Sequence, residues 1–289
     1  MTSIVKPFSF LLIALILAIS LVQEIASAQT GADADGEPYA GLEASLAELS
    51  SDSLGELLEF VSGNTLFVIY HEGGHMLVSE LGLPVLAQEE DAVDNLATIS
   101  MLAADTDDMD LFLYHAMTGW FLMSEDNHDA LIFYDEHDLD QQRGYRMLCM
   151  MVGADEAAFL DLAQDLALPE DRIDSCGFDF DQASESWEVV TDPFVRDGDE
   201  PAGKIDIIYE DAPENLKTLA TSFQESALMD QVANELDTFY DLPEQVTYRA
   251  TTCGTDNAFW DPDLREVIIC YELLGEFASL YLELLSAED

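Results

Sequence analysis

The chain has 289 residues, and 49% of them are hydrophobic, which is enough to bury the core of one domain and too much for a disordered chain. Its formal net charge of −51, from 60 acidic and 9 basic residues, excludes nucleic acid and anionic membrane surfaces as natural partners. The charge indicates little about chemistry.

The first 28 residues have the pattern of a secretory signal peptide. Lys6 precedes an apolar run, Phe8–Val22, and Ala26-Ser27-Ala28 fits the small-x-small rule for cleavage. An uncleaved anchor is the alternative, but the apolar run is short for a membrane span. We therefore expect an exported protein, periplasmic or secreted, with no stable membrane anchor after cleavage of residues 1–28.

Residues 29–48 are small, acidic and rich in turn formers, and they predict a flexible leader before a single domain at 49–289. Within the domain, Gly63 and Asn64 predict a break between two helices, and Gly82 predicts the end of the second. Apolar periodicity predicts further helices over residues 89–104, 107–125 and 155–167.

The second half of the domain changes to β-rich runs, at residues 203–210, 244–252 and 265–272. A long helix is predicted between the first two runs, at 213–239, and a C-terminal helix at 273–285. Residues 253–263 are typical of a turn-rich connection. These elements predict an α+β fold, mostly helical, with a small antiparallel sheet in the C-terminal half.

Four cysteines, Cys149, Cys176, Cys253 and Cys270, favour two disulfides in an exported chain. Three connectivities are possible. We expect sequential pairing, Cys149 with Cys176 and Cys253 with Cys270, because each pair closes a compact local loop. None of the four has the CxxC spacing of a zinc ribbon.

The stretch HEGGH lies inside a predicted helix and carries the most specific chemical signal. His71 and His75 stand four apart on one helical face, so both imidazoles can bind one metal ion, and Glu72 can reach a water beside it. Neutral imidazole suits zinc, which lowers the pKa of a bound water to about 7, with Glu72 as general base. Gly73 and Gly74 each cost a helix about 0.5–1 kcal/mol relative to alanine, which predicts close packing against this helix.

A catalytic zinc site needs a third protein ligand, and the next predicted helix begins with EEDAVD. Glu90 and Asp94 stand four apart there. This spacing resembles gluzincin-type sites, in which a glutamate is the third ligand and an aspartate one turn later holds a zinc-bound histidine. Glu89 is a competing ligand, but Val93 stands four residues on from it. A solvated acidic helix face is the alternative to a site.

Three blocks of the sequence resemble a bacterial family of exported metallopeptidases, a domain of otherwise unknown function. They are FVIYHEGGHMLVSELGLPVLAQEEDAVDNLA, HDLDQQRGYRMLCMMVG and CGTDNAFWDPDLREVIICYEL. The resemblance spans roughly residues 53–274 and implies a zincin-like domain with gluzincin-like zinc ligands. The implied residues are His71, His75 and Glu90 on the metal and Glu72 as base.

The second block gathers side chains that can donate hydrogen bonds to a developing oxyanion. His137, Arg143 and Tyr145 are the candidate transition-state stabilisers. The alternative is structural, with Arg143 in an internal salt bridge and His137 hydrogen-bonded at a helix start. Of the other histidines, His115 is typical of a core residue with satisfied hydrogen bonds, and His128 of a surface loop.

The expected function is hydrolysis of a peptide or protein substrate by an exported zinc metallopeptidase. A non-catalytic binding protein of zincin fold and a metal-dependent hydrolase of non-peptide substrates are the alternatives. Glu72 favours catalysis, because a structural HxxxH site needs no base there. In the third block, NAFW or REVIICYE is expected to line the cleft as a strand that pairs with an extended substrate.

Overall fold

The structure, a computed structural model, describes residues 39–126 and 131–288. The signal-peptide prediction and most of the predicted leader lie outside the described residues. The last part of the leader forms a short helix, Leu42–Glu48, with two buried leucines. Contacts between Cα atoms group Gly41–Asp289 into one compact unit. The folded unit therefore begins before residue 49, because the helix has an apolar face to bury.

Helices make up most of the described residues. They are α1 (Leu42–Glu48), α2 (Ser51–Leu81), α3 (Glu89–Leu102), α4 (Asp107–Asp126), α5 (Asp140–Ala154), α6 (Glu156–Asp165), α7 (Glu170–Thr191), α8 (Lys217–Ser226), α9 (Leu228–Phe239) and α10 (Tyr271–Glu288). The strands are β1 (Ile205–Tyr209), β2 (Val246–Thr251), β3 (Ala258–Asp261) and β4 (Glu266–Cys270). Within these described elements, no helix is both long enough and apolar enough to cross a membrane.

The helix α2 runs without interruption through Gly63 and Asn64, so the predicted break there is wrong. A β-carbon at Gly63 would lie 2.6 Å from the carbonyl oxygen of Phe112, so the glycine lets α4 approach closely. The Asn64 amide donates one hydrogen bond within its own helix and one to the carbonyl oxygen of His115 in α4. Both residues therefore serve helix packing. The predicted end at Gly82 is confirmed, with this glycine in the left-handed conformation.

The four strands form one mixed sheet in the order β1-β2-β4-β3. β1 pairs with β2 and β2 pairs with β4 in parallel, whereas β3 and β4 pair antiparallel. The prediction of an antiparallel sheet is therefore wrong, because α8 and α9 form a crossover that lets β2 run in the direction of β1. The predicted α+β class, mostly helical with a small sheet in the C-terminal half, is confirmed.

Three further elements differ from the predictions. The long helix expected at 213–239 is divided into α8 and α9 at Ala227, which adopts a left-handed conformation. Helix α7 was not predicted, because its sequence is polar and only three of its residues are buried. The predicted turn-rich connection contains β3, which is the edge strand of the sheet next to β4.

The two disulfides follow the sequential pairing expected from the sequence. Cys149–Cys176 joins α5 to α7, and Cys253–Cys270 joins the segment after β2 to the end of β4. The helix α2 lies at the centre of this framework, where it packs against α3, α4, α9 and α10 and contacts β3 and β4. The fold therefore places HEGGH between the helical part of the domain and the sheet.

Candidate metal centre

The two glycines of HEGGH lie at points of close packing, as predicted. A β-carbon at Gly73 would lie 2.8 Å from Cδ1 of Leu236 in α9 and 3.0 Å from the hydroxyl of Tyr248 in β2. A β-carbon at Gly74 would lie 2.9 Å from the Cβ of Val93 in α3. The missing side chain at Gly73 therefore lets α2 approach α9 and β2, and the one at Gly74 lets it approach α3, the helix that begins with the two candidate glutamate ligands.

Three side chains from α2 and α3 converge on one point. The Nε2 atoms of His71 and His75 are 3.2 Å apart, and Glu90 places Oε2 3.2 Å from the first and Oε1 3.4 Å from the second. Tetrahedral coordination at the usual zinc–nitrogen and zinc–oxygen distances separates neighbouring ligand atoms by about 3.3 Å. The spacing and the chemistry of these donors therefore fit a metal ion held by the three residues.

Each of the two histidines is oriented by a carboxylate on its other ring nitrogen. Nδ1 of His71 donates to Oδ1 of Asp94 at 2.8 Å, and Nδ1 of His75 donates to Oε1 of Glu89 at 2.8 Å. These hydrogen bonds place the proton on Nδ1 and leave Nε2 available to a metal when the ring is neutral. The two glutamates therefore occupy different places. Glu90 faces the Nε2 atoms of both histidines, whereas Glu89 accepts a hydrogen bond from Nδ1 of His75.

The carboxylates around His71, His75 and Glu90 favour positive charge where these three side chains meet. Burial lowers the pKa of His71, but its hydrogen bond to Asp94 and the nearby carboxylate of Glu90 outweigh this effect and raise the pKa to about 9. Burial raises the pKa of Glu90, but three imidazoles reverse this effect and hold the pKa well below its usual range. A metal ion would take the place of the proton on Nε2 of His71, so metal binding would release a proton.

Glu72 lies beside this group and is buried between α2 and the sheet. Burial raises the pKa of its carboxyl group, and the neighbouring His71 and His75 offset part of the rise. The backbone N–H of Trp260 in β3 lies close enough to the same carboxyl group to lower its pKa. The edge strand of the sheet therefore lies next to the candidate base, as expected for NAFW, whereas REVIICYE forms the inner strand β4.

The three candidate transition-state stabilisers occupy different places. His137 lies at the group, with Nε2 3.0 Å from Oε2 of Glu90, and its side chain is half exposed. Arg143 is buried and forms a bidentate ion pair with Asp94, the internal salt bridge weighed as its alternative role. The Tyr145 hydroxyl donates to the carbonyl oxygen of Leu166, so this side chain is not among those that the structure brings together.

Sequence reasoning missed two contributors to the site. Glu89 was considered as a ligand and not as the partner of His75. Arg146 was not considered, although its guanidinium bridges Asp91, beside Glu90, and Asp138, beside His137. The scarcity of basic residues was the available signal, because an arginine in so acidic a chain must find partners.

The other polar clusters do not form a second centre among the described residues. Cys253 and Cys270 lie near Glu272, but both sulfurs are in the disulfide and Glu272 accepts from backbone N–H groups. The ring of His115 packs edge-on against Phe60, and within the described structure its Nε2 has no hydrogen-bond partner, contrary to the expectation of a satisfied core histidine. His128 lies outside the described residues.

A family model with the description "Putative metallopeptidase" matches residues 38–190 and 209–288. The two matched segments include all three blocks of the sequence that carried the resemblance, and they contain α1 to α6, most of α7, and every element from α8 onward. Comparison with curated proteins and with solved structures gave no match.

Proposed function

The chain belongs to this family of putative metallopeptidases, and we propose that it is an exported, zinc-dependent peptidase of the gluzincin type. The observation that carries the proposal is the convergence of His71, His75 and Glu90, whose nearest donor atoms lie 3.2–3.4 Å apart, with Glu72 beside them. Two imidazoles and one carboxylate are ligands that zinc accepts in catalytic sites. The two disulfides suit an oxidising compartment and so support export.

The residues divide the chemistry between them. When bound to His71, His75 and Glu90, zinc would supply a Lewis acid that acidifies water and polarises the scissile carbonyl. Glu72 accepts the proton of the attacking water on its carboxylate and later delivers it to the leaving amine. The burial that raises its pKa makes the carboxylate a better base near neutral pH than an exposed glutamate would be.

The edge strand β3 is the feature that favours a peptide as the substrate. The amide of Cys270 donates to the carbonyl oxygen of Asn257, so in this antiparallel ladder the alternate residues Ala258 and Trp260 direct their backbone groups away from β4. The N–H of Trp260 meets Glu72 on that side. An extended peptide added along this edge would therefore lie next to the base.

His137 is the candidate donor to the developing oxyanion. Its Nε2 already approaches Glu90, and its exposed side chain is on a segment that precedes α5 and is free to meet a substrate. The nearby carboxylate of Glu90 raises the pKa of this imidazole, because it stabilises the protonated ring. A protonated imidazole beside the scissile carbonyl stabilises the negative charge of the transition state.

Two features of the site argue against the alternatives, a metal-containing binding protein and a hydrolase of non-peptide substrates. A binding protein with a structural metal has no use for a buried carboxylate at position 72, so the position of Glu72 beside the candidate ligands argues for catalysis. A hydrolase of non-peptide substrates would use the same ligands, and the position of β3 at the edge of the sheet is the feature that favours an extended peptide.

The test compares the wild-type protein with Glu72→Gln on casein and on a peptide library, after zinc loading. The variant should keep its zinc and lose hydrolysis by roughly 100- to 10,000-fold, because the general base is removed. Glu56→Gln changes an exposed glutamate on the same helix and should leave hydrolysis unchanged. A fully active Glu72→Gln protein would refute the base, and zinc without turnover in the wild type would favour the binding protein.

A further inference from the structure

Arg143 is a buried arginine in a chain with nine basic residues. Its Nε donates to Oδ2 of Asp94 at 2.8 Å, and its Nη2 donates to Oδ1 at 2.7 Å. A planar guanidinium that meets both oxygens of one carboxylate fixes the orientation of that carboxylate as well as its position. Arg143 therefore determines how Asp94 is presented to the rest of the site.

Asp94 in turn orients His71, the first of the proposed metal ligands. Its Oδ1, which accepts from Arg143, also accepts from Nδ1 of His71 at 2.8 Å. Because the imidazole is rigid, a fixed Nδ1 contact also fixes the direction of Nε2. The Nε2 atom then points at Glu90 and His75, where the ligand atoms meet.

The guanidinium is itself held from a second direction. Its Cζ lies 3.6 Å from the ring centroid of Trp120 in α4, at stacking distance. The indole meets Phe67 edge-on, and Phe67 lies against the ring of His71. The histidine is thus enclosed by a hydrogen-bonded path through Asp94 and a packed path through two aromatic rings, and both paths end at Arg143.

We propose that Arg143 is a positioning residue of the metal centre, which acts through Asp94 to hold His71 ready for a metal ion. The charge balance supports this role, because four carboxylates lie in or next to the group of candidate ligands, those of Glu72, Glu89, Glu90 and Asp94. The guanidinium neutralises one of them and keeps its hydrogen bonds in place before a metal arrives. The proposal rests on the proposed metal centre and not on peptide hydrolysis.

The experiment measures the zinc dissociation constant by chelator competition, with no substrate present. Arg143→Met should weaken zinc binding by about 10- to 100-fold, the usual effect of losing an outer partner of a metal ligand. Arg143→Lys keeps the charge and loses the fork, so its loss should be smaller. Arg249→Met is the matched control, because Arg249 makes the same fork with Glu266 on the sheet and should leave zinc affinity unchanged.

A double-mutant cycle separates positioning from general packing. If Arg143 acts through Asp94, then in the Asp94→Asn background Arg143→Met should change zinc affinity by less than about threefold. Equal losses in both backgrounds would overturn the proposal, as would a folded Arg143→Met protein with wild-type zinc affinity. If Arg143→Met does not fold, the same cycle with Arg143→Lys decides between these outcomes. Inactivity towards peptides with normal zinc binding would refute the proposed function and leave this inference standing.

Discussion

His71 and His75 are each oriented by a carboxylate on Nδ1, but the two pairs differ in their exposure to solvent. His71 is 6% exposed in its side chain and is held by Asp94, which is buried and fixed in turn by Arg143. His75 is 15% exposed, and its partner Glu89 is 44% exposed. A buried carboxylate with several hydrogen bonds has one orientation, whereas an exposed one exchanges its partner with water and keeps its rotamer freedom.

This difference divides the site into a rigid side and an open side. The rigid side consists of His71, Asp94 and Arg143, and the open side consists of His75, Glu89 and the half-exposed His137. We expect the rigid side to control metal retention, because preorganised ligands bind a metal more tightly. We expect the open side to control turnover, because substrate must approach from solvent.

The largest effect should come from Asp94→Asn. An amide leaves the buried Arg143 without an anionic partner, which should lower the free energy of unfolding by about 3–5 kcal/mol. It should also weaken zinc binding by about 10- to 100-fold. Urea unfolding of the metal-free protein measures the first effect, and chelator competition for zinc measures the second. An Asp94→Asn variant with wild-type values in both would show that the rigid side does not control metal binding.

A second prediction concerns the packing that holds α2 against α3. Gly74→Ala places a β-carbon 2.9 Å from the Cβ of Val93, so a backbone must shift, at a cost of about 1–3 kcal/mol. Gly55→Ala in the same helix meets open space and should stabilise the protein by about 0.5–1 kcal/mol. Thermal unfolding of both variants gives the comparison. Changes of the same sign would show that helix propensity decides and close packing does not.

His137→Gln tests the open side. The variant should reduce kcat by about 100-fold, as expected for loss of a donor to the oxyanion, and should leave KM and zinc affinity within about threefold. Peptide kinetics and chelator competition on one preparation provide both values. A loss of zinc affinity as large as that of Asp94→Asn would instead make His137 a metal ligand, and the division into two sides would fail.

The convergence of the candidate ligands could be predicted from local spacing. His71 and His75 share a face because they are four apart in one helix, and Glu90 and Asp94 share a face for the same reason. A short connection between the two helices then leaves few ways to arrange them. The end of the first helix at Gly82 and the sequential disulfides were predictable on similar local grounds.

The relations that depend on tertiary packing could not be predicted. Gly63 and Asn64 indicate a helix break by propensity, but close approach of α4 and side-chain hydrogen bonds override that preference. The direction of β2 depends on a crossover, which strand periodicity does not report. The sequence also left two roles open for Arg143, a catalytic one and an internal salt bridge. The choice depends on the packing of α5 against α3, which brings Arg143 to Asp94.

Zinc content of two neighbouring variants tests the central claim most directly. Glu90→Gln removes the proposed third ligand, and Glu89→Gln removes the exposed partner of His75 one residue earlier in the same helix. After gel filtration in buffer without added metal, the wild type and Glu89→Gln should each retain about one zinc ion per chain, and Glu90→Gln should retain almost none. Equal zinc content in the Glu90→Gln protein would contradict the assignment of His71, His75 and Glu90 as the metal centre.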